Sequence, residues 1–182
     1  LTFLAENPVI NIVIMSLIIF GGIGFLTWDD IRTNKFHLKK YRMQSKIILC
    51  TTAMLLLIPA LYFFFIEFRD EPISRKIWTS LFQAVTPRTA GFNTIDLESM
   101  RGITKGLMIF LMFVGAAPGS TGGGIKVTTF VVLVMTIISV TRGSDETTIR
   151  GRKVDKSVVY KALAVTGLAG CAVIIAAGII YF

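Results

Sequence analysis

The stretch Val114–Phe130, VGAAPGSTGGGIKVTTF, lies inside an apolar region running from Leu107 to Val140. A continuous helix over those residues would be about 51 Å long, too much for one straight crossing of a hydrocarbon core of about 30 Å. Pro118 removes one backbone bond, and Gly119 with Gly122, Gly123 and Gly124 makes helix costly. These residues predict helix, loop and helix, with the loop at membrane depth. Backbone without helical bonds is tolerated there only where it is buried in protein or lines a wet cavity. A kink that merely relieves packing is the plainer reading of the same residues. A phosphate cradle is disfavoured, because the P-loop pattern places Lys directly after its last Gly and then Ser or Thr. Here Ile125 separates Gly124 from Lys126, Val127 follows, and no strand precedes.

Composition points to lipid as the solvent. Of 182 residues, 53% are hydrophobic and 16% charged, with a mean hydropathy of +0.71, whereas an ordinary soluble domain is about a quarter charged. The net charge of +8 does not form a nucleic-acid face. It gathers in two blocks between apolar segments, Arg32, Lys35, Lys39, Lys40, Arg42 and Lys46, then Arg142, Arg150, Arg152, Lys153, Lys156 and Lys161. Short basic loops of this kind mark the cytoplasmic side of membrane proteins. Cys50 and Cys171 lie in apolar segments as small packing residues, and His37 has no companions of metal-ligand spacing. The first apolar run has neither a basic lead nor a small-residue cleavage pattern, so it reads as a span and not as a leader. Opening on Leu1 and stopping on Phe182 within an apolar run, the chain is expected to be a piece of a longer polypeptide.

Four apolar spans are expected: Pro8 to Trp28, Ile47 to Phe68 with Tyr62 to Phe65 as an interfacial aromatic end, Leu107 to Val140, and Val158 to Phe182. With loops 31–46 and 141–157 in the cytoplasm, residues 68–105 face outside. Within them Ser74 to Thr86, SRKIWTSLFQAVT, has Ile77, Trp78, Leu81, Phe82 and Val85 at helical spacing, with Ser74 as cap and Pro87 as terminator. At about 20 Å it is too short to cross. It is either an amphipathic helix on the outer surface or a half-helix that dips into the bilayer and returns as a loop. Polar Thr79, Ser80 and Gln83 argue against lipid on every side. The returning loop, TPRTAGFNTID from Thr86 to Asp96, could offer a row of backbone carbonyls in place of a cation's water shell. Gly91 would permit the backbone turn this needs, and the half-helix aims its negative C-terminal end at the same place.

The sequence VTPRTAGFNTID, followed at a short distance by GAAPGSTGGGIKVTTF, resembles the Trk/Ktr/HKT superfamily of potassium transporters, in particular the Ktr membrane subunits of bacteria. The resemblance extends over nearly all of the chain. It implies an all-α membrane protein built from four helix–pore loop–helix repeats around one pore. Residues 1–30 would then hold the last helix of the second repeat. Residues 47–140 would form the complete third repeat, with pore helix 74–86, filter loop 87–95 and broken helix 107–140, and residues 158–182 the first helix of the fourth. The other three pore loops are not in this stretch, so it cannot close a pore alone.

The resemblance further implies that Thr89, Ala90, Gly91 and Phe92 supply one quarter of a selectivity filter for K⁺ through backbone oxygens, with Asn93 and Thr94 bracing the loop. Arg88, a like charge near the ion path, is expected to turn away toward Asp96 or Glu98. Residues Gly115, Ala116, Ala117, Pro118, Gly119, Ser120, Thr121, Gly122, Gly123 and Gly124 would form an intramembrane gating loop below the filter, whose Ser120 and Thr121 hydroxyls meet cavity water. Lys126 would either reach cytoplasmic water or stand near the pore as a brake on cations. Ala116 and Ala117 stand where relatives often carry Gly or Ser, which would alter loop mobility. The implied partners are the bilayer of the plasma membrane, the remaining repeats of the same chain, a second membrane subunit in a homodimer, and a cytosolic ring of nucleotide-binding regulatory subunits. The basic loops would serve as docking surfaces or simply enforce topology. K⁺ is the implied transported ion, with Na⁺ a candidate co-ion and no cofactor in the chain. No catalytic set supports an enzyme, for the spans lack paired carboxylates. The competing readings are a carrier of another solute and a structural membrane subunit.

Overall fold

The computed structural model describes residues 7–35, 37–88, 90–93, 95–144 and 146–181. In chain order these form α1 (Pro8–Gly22), α2 (Phe25–Asn34), a 3₁₀ turn (Leu38–Lys40), and α3 (Met43–Tyr62) running into a π-helical turn (Phe63–Glu67). There follow α4 (Ile73–Val85), α5 (Gly102–Phe113), α6 (Val127–Thr141), the two-stranded hairpin β1 (Thr148–Ile149) and β2 (Arg152–Lys153), and α7 (Lys156–Tyr181). Two compact units are present, Leu1–Val127 and Thr128–Phe182. Met43–Glu67 and Lys156–Ile180 are long and apolar enough to cross a membrane, and α1 with α2 would make a third span if the bend between them breaks a single crossing.

In the first unit, α1 starts where Pro8 follows Asn7, whose side-chain oxygen accepts from the amides of Val9 and Ile10 at 3.1 and 3.3 Å. The straight span expected from Pro8 to Trp28 is not found. The helix stops at Gly22 and the chain turns by 97° into α2. Gly24, with φ +87°, makes the turn, a conformation that side-chain-bearing residues rarely adopt. The Trp28 indole donates to the Phe20 carbonyl at 3.0 Å and its ring meets Phe20 edge-on, bracing the corner.

The next corner is held by Asp30. Its carboxylate accepts from the Arg42 amide at 3.0 Å and the Ser45 hydroxyl at 2.6 Å, so α2 supplies a cap for the first turn of α3. At the far end of α3, the Phe68 amide bonds the Phe63 carbonyl at 2.9 Å, one residue beyond α-helical spacing. That extra residue presents Glu67 to α5, where its carboxylate accepts from the Arg101 amide at 3.0 Å and the Thr104 hydroxyl at 2.5 Å. A core of Ala60, Phe63, Phe68, Ala84, Met100 and Met108 closes beneath it.

Against this frame α4 lies on α1 and α3. Its N-cap is Pro72, so Ser74 falls inside the first turn and is not the expected cap. Thr79, Ser80, Phe82, Gln83, Ala84 and Val85 are all buried, while Ile73, Ile77 and Leu81 are exposed. The Gln83 amide reaches the Met108 sulfur at 3.1 Å and ties α4 to α5.

In the second unit, α6 and α7 flank the basic segment expected as plain loop. That segment carries the hairpin, turned at Arg150 and Gly151 with φ of +49° and +78°. Two positive φ values in a two-residue turn suit the right-handed twist of the paired strands.

Candidate functional site

The C-terminus of α4 builds the first half of the site. Thr86, 1% exposed, continues the helix through its amide to the Phe82 carbonyl at 2.8 Å. Its own carbonyl then accepts from Ala90 at 3.4 Å and Gly91 at 3.3 Å, and its hydroxyl donates to the Phe92 carbonyl at 2.5 Å. One buried threonine thus clips the loop on both sides of Gly91, whose φ is +69°. Sequence reasoning passed over Thr86, and its only local signal is a polar residue at the end of an apolar face just before Pro87. Among the described residues the carbonyls of Ala90 and Gly91, like those of Pro87, Arg88 and Asn93, accept no hydrogen bond. They lie at the C-terminal end of α4, where the helix dipole favours a cation. Thr89 and Thr94 lie outside the described residues, and Asn93 is exposed.

Arg88 departs from expectation. It is 8% exposed, and its guanidinium donates to the Gly115 carbonyl at 3.4 Å. Asp96 instead accepts from the Glu98 amide at 3.0 Å. Arg88 therefore turns inward to the start of the Val114–Lys126 loop, where the Gly115 carbonyl is its described acceptor.

That loop is the second half of the site, and it is no slack kink. Its ends are zipped. The Gly115 amide donates to the Ile125 carbonyl at 2.9 Å, Ala116 to Gly123 at 3.3 Å, Ile125 to Phe113 at 3.0 Å and Val127 to Ala116 at 3.2 Å. Gly115 and Gly124 face each other so closely that neither tolerates a Cβ. The freed backbone groups of the broken helix are thus satisfied within the protein. The Ser120 hydroxyl donates to the Ala117 carbonyl at 2.5 Å, and the Thr121 hydroxyl to the Gly21 carbonyl at 3.3 Å, so both tie the loop down. The Lys126 ammonium donates to the Gly122 carbonyl at 2.6 Å. Ala116 and Ala117 are buried, and Pro118 and Gly119 pass over Gly24 and the Phe25 amide. Among the described residues no group of three or more His, Cys, Asp or Glu could hold a metal.

Residues 1–181 match the family described as TrkH: Cation transport protein. The chain is 42% identical over 166 residues to Ktr system potassium uptake protein B of Bacillus subtilis (strain 168), covering 88% of this chain and 37% of that protein. It is 34% identical over 163 residues to the potassium/sodium uptake protein NtpJ of Enterococcus hirae, covering 86% of this chain and 36% of that one. The chain therefore spans a little over a third of the length of these relatives. Among solved structures, the potassium transporter TrkH from Vibrio parahaemolyticus superposes with a TM-score of 0.65 at 23% identity, over 84% of this chain and 34% of that one. That likeness is one of fold.

Proposed function

We propose, for a chain that belongs to the TrkH cation transport protein family, that it forms the third repeat and flanking helices of a K⁺-translocating membrane protein. The observation that carries this reading is the Thr86 clip, which holds the loop around Gly91 with the Ala90 and Gly91 carbonyls accepting no hydrogen bond from any described residue, beyond the C-terminal end of α4. Carbonyls so placed replace the hydration shell of a monovalent cation, and the dipole of α4 adds to their pull. Names of relatives as potassium and potassium/sodium uptake proteins support K⁺ as cargo, with Na⁺ a candidate co-ion. Four such loops are needed around one axis, so the remaining three come from the rest of the full-length chain. The Val114–Lys126 loop, tied to the filter loop by Arg88, serves as the gate below it. The membrane subunit pairs as a homodimer in the plasma membrane. Loops 31–46 and 141–157 face the cytoplasm and a nucleotide-binding regulatory ring, and the filter loop faces outside. The chain acts as a transport subunit and not as an enzyme.

Replacing Gly91 by Ser in the full-length protein tests the filter. A Cβ at Gly91 meets nothing within 4 Å, so the effect is conformational and not steric. Holding a non-glycine residue at positive φ costs about 1–2 kcal/mol, which the loop relieves by turning its carbonyls. Preference for K⁺ over Na⁺ in proteoliposome uptake is expected to fall roughly tenfold, the equivalent of about 1.4 kcal/mol. Unchanged preference with normal K⁺ affinity contradicts the assignment.

A further inference from the structure

The bend between α1 and α2 leaves backbone groups that no residue of either helix satisfies. The carbonyls of Gly21 and Gly22 end α1, and the Phe25 amide begins α2. All three are met by the Val114–Lys126 loop. The Ala117 amide donates to Gly22 at 3.0 Å, the Thr121 amide and hydroxyl both donate to Gly21 at 3.3 Å, and the Phe25 amide donates to the Gly119 carbonyl at 3.0 Å. At Gly24 the contact is close enough to need glycine. A Cβ at Gly24 would fall 2.6 Å from the Pro118 carbonyl oxygen, and one at Gly21 would fall 2.9 Å from Thr121 Oγ1. Gly22 lies in ordinary contact with the Ala116 methyl, at 3.7 Å from a Cβ built on it.

From this we infer that the glycine corner Gly21–Gly24 of the preceding repeat is the seat that holds the loop in its blocking position, with Thr121 as the latch. The inference rests on the reading of this loop as the gate. Seat and loop complete each other: lifting the loop strands the carbonyls ending α1 and the amide opening α2. Opening therefore requires either water in the corner or a change in the 97° bend. Two discrete, mutually satisfied arrangements are what a gate needs, since packed elements switch between states and do not deform continuously. The corner thus couples the second repeat to the gate of the third, and a force that straightens α1 into α2 also releases the loop.

A reversible cross-link tests this. In the full-length protein with Cys50 and Cys171 replaced by Ser, Gly21→Cys and Thr121→Cys would place two sulfurs within reach, given the separation of 2.9 Å noted above. In proteoliposomes the pair should oxidise readily, lowering K⁺ uptake roughly tenfold and recovering it on reduction, while either single cysteine stays insensitive. No cross-link under non-conducting conditions overturns the seat and leaves the gating role standing. A complete cross-link with unchanged uptake shows that the loop does not gate, and overturns the inference through the reading beneath it. Thr121→Val guards against a misfolded pair: losing the latch hydroxyl should raise resting uptake by about fivefold, within the worth of one hydrogen bond. Unchanged resting uptake in a well-expressed Thr121→Val protein counts against the latch.

Discussion

Gly115→Ala should convert the full-length protein into a leaking one. A Cβ at Gly115 would sit 1.7 Å from the Gly123 carbonyl oxygen, 2.7 Å from its carbon and 2.8 Å from the Gly124 Cα. All three are backbone atoms, and a Cβ has no rotamer by which to escape. The two ends of the loop must therefore part. Parting them breaks the bonds from Gly115 to Ile125, Ala116 to Gly123 and Ile125 to Phe113, at about 1 kcal/mol each. A shift of about 3 kcal/mol moves the balance of shut and open loop by roughly a hundredfold. Resting K⁺ uptake in proteoliposomes should rise steeply at normal expression. Gly123→Ala is the matched control, since a Cβ there meets nothing within 4 Å and uptake should stay near wild type. If Gly115→Ala transports like the parent, the zipped loop does not obstruct the path.

The second large effect belongs to Arg88. It is the described link between the filter loop and the Val114–Lys126 loop, buried, with its guanidinium on the Gly115 carbonyl. Hydrogen bonds from charged groups contribute about 1.5–3 kcal/mol where they are buried. Arg88→Ala removes that bond and leaves a void beside the end of α4. Melting temperature in detergent should fall, and resting K⁺ uptake should rise about tenfold, because the blocking loop loses one of the bonds that hold it shut. Arg88→Lys keeps the charge but loses the planar fork, so it should restore only part of each. Wild-type melting and uptake in Arg88→Ala would mean that the contact holds nothing in place. Asp96→Asn should leave both readouts unchanged, because among the described residues Asp96 bonds only within its own turn.

What could be read from the residues, and what could not, follows from how local each cause is. The break of the Leu107–Val140 helix was legible because Pro118 and the neighbouring glycines act on their own backbone. The short helix before Pro87 was legible because its apolar spacing and terminator lie within one segment. The corner at Gly24 was missed, for the glycines there sit in an apolar run that composition alone reads as one span. Its cause lies far away: Thr121 bonds Gly21 across 100 residues of sequence. Arg88 went astray for a similar reason. Charge complementarity favours carboxylates nearby in sequence, whereas burial left it the Gly115 carbonyl. The Arg150–Gly151 turn carried a usable signal, a glycine between short extended segments, which the dense positive charge obscured.

The account stands or falls on where the cation rests. The most direct measurement is anomalous scattering from crystals of the full-length protein grown with Rb⁺ in place of K⁺. The account predicts a peak on the pore axis, coordinated by the backbone oxygens of Ala90 and Gly91 together with those of three equivalent loops. A filter whose Ala90 and Gly91 carbonyls turn away from the axis, with Rb⁺ held elsewhere by side chains, would contradict it.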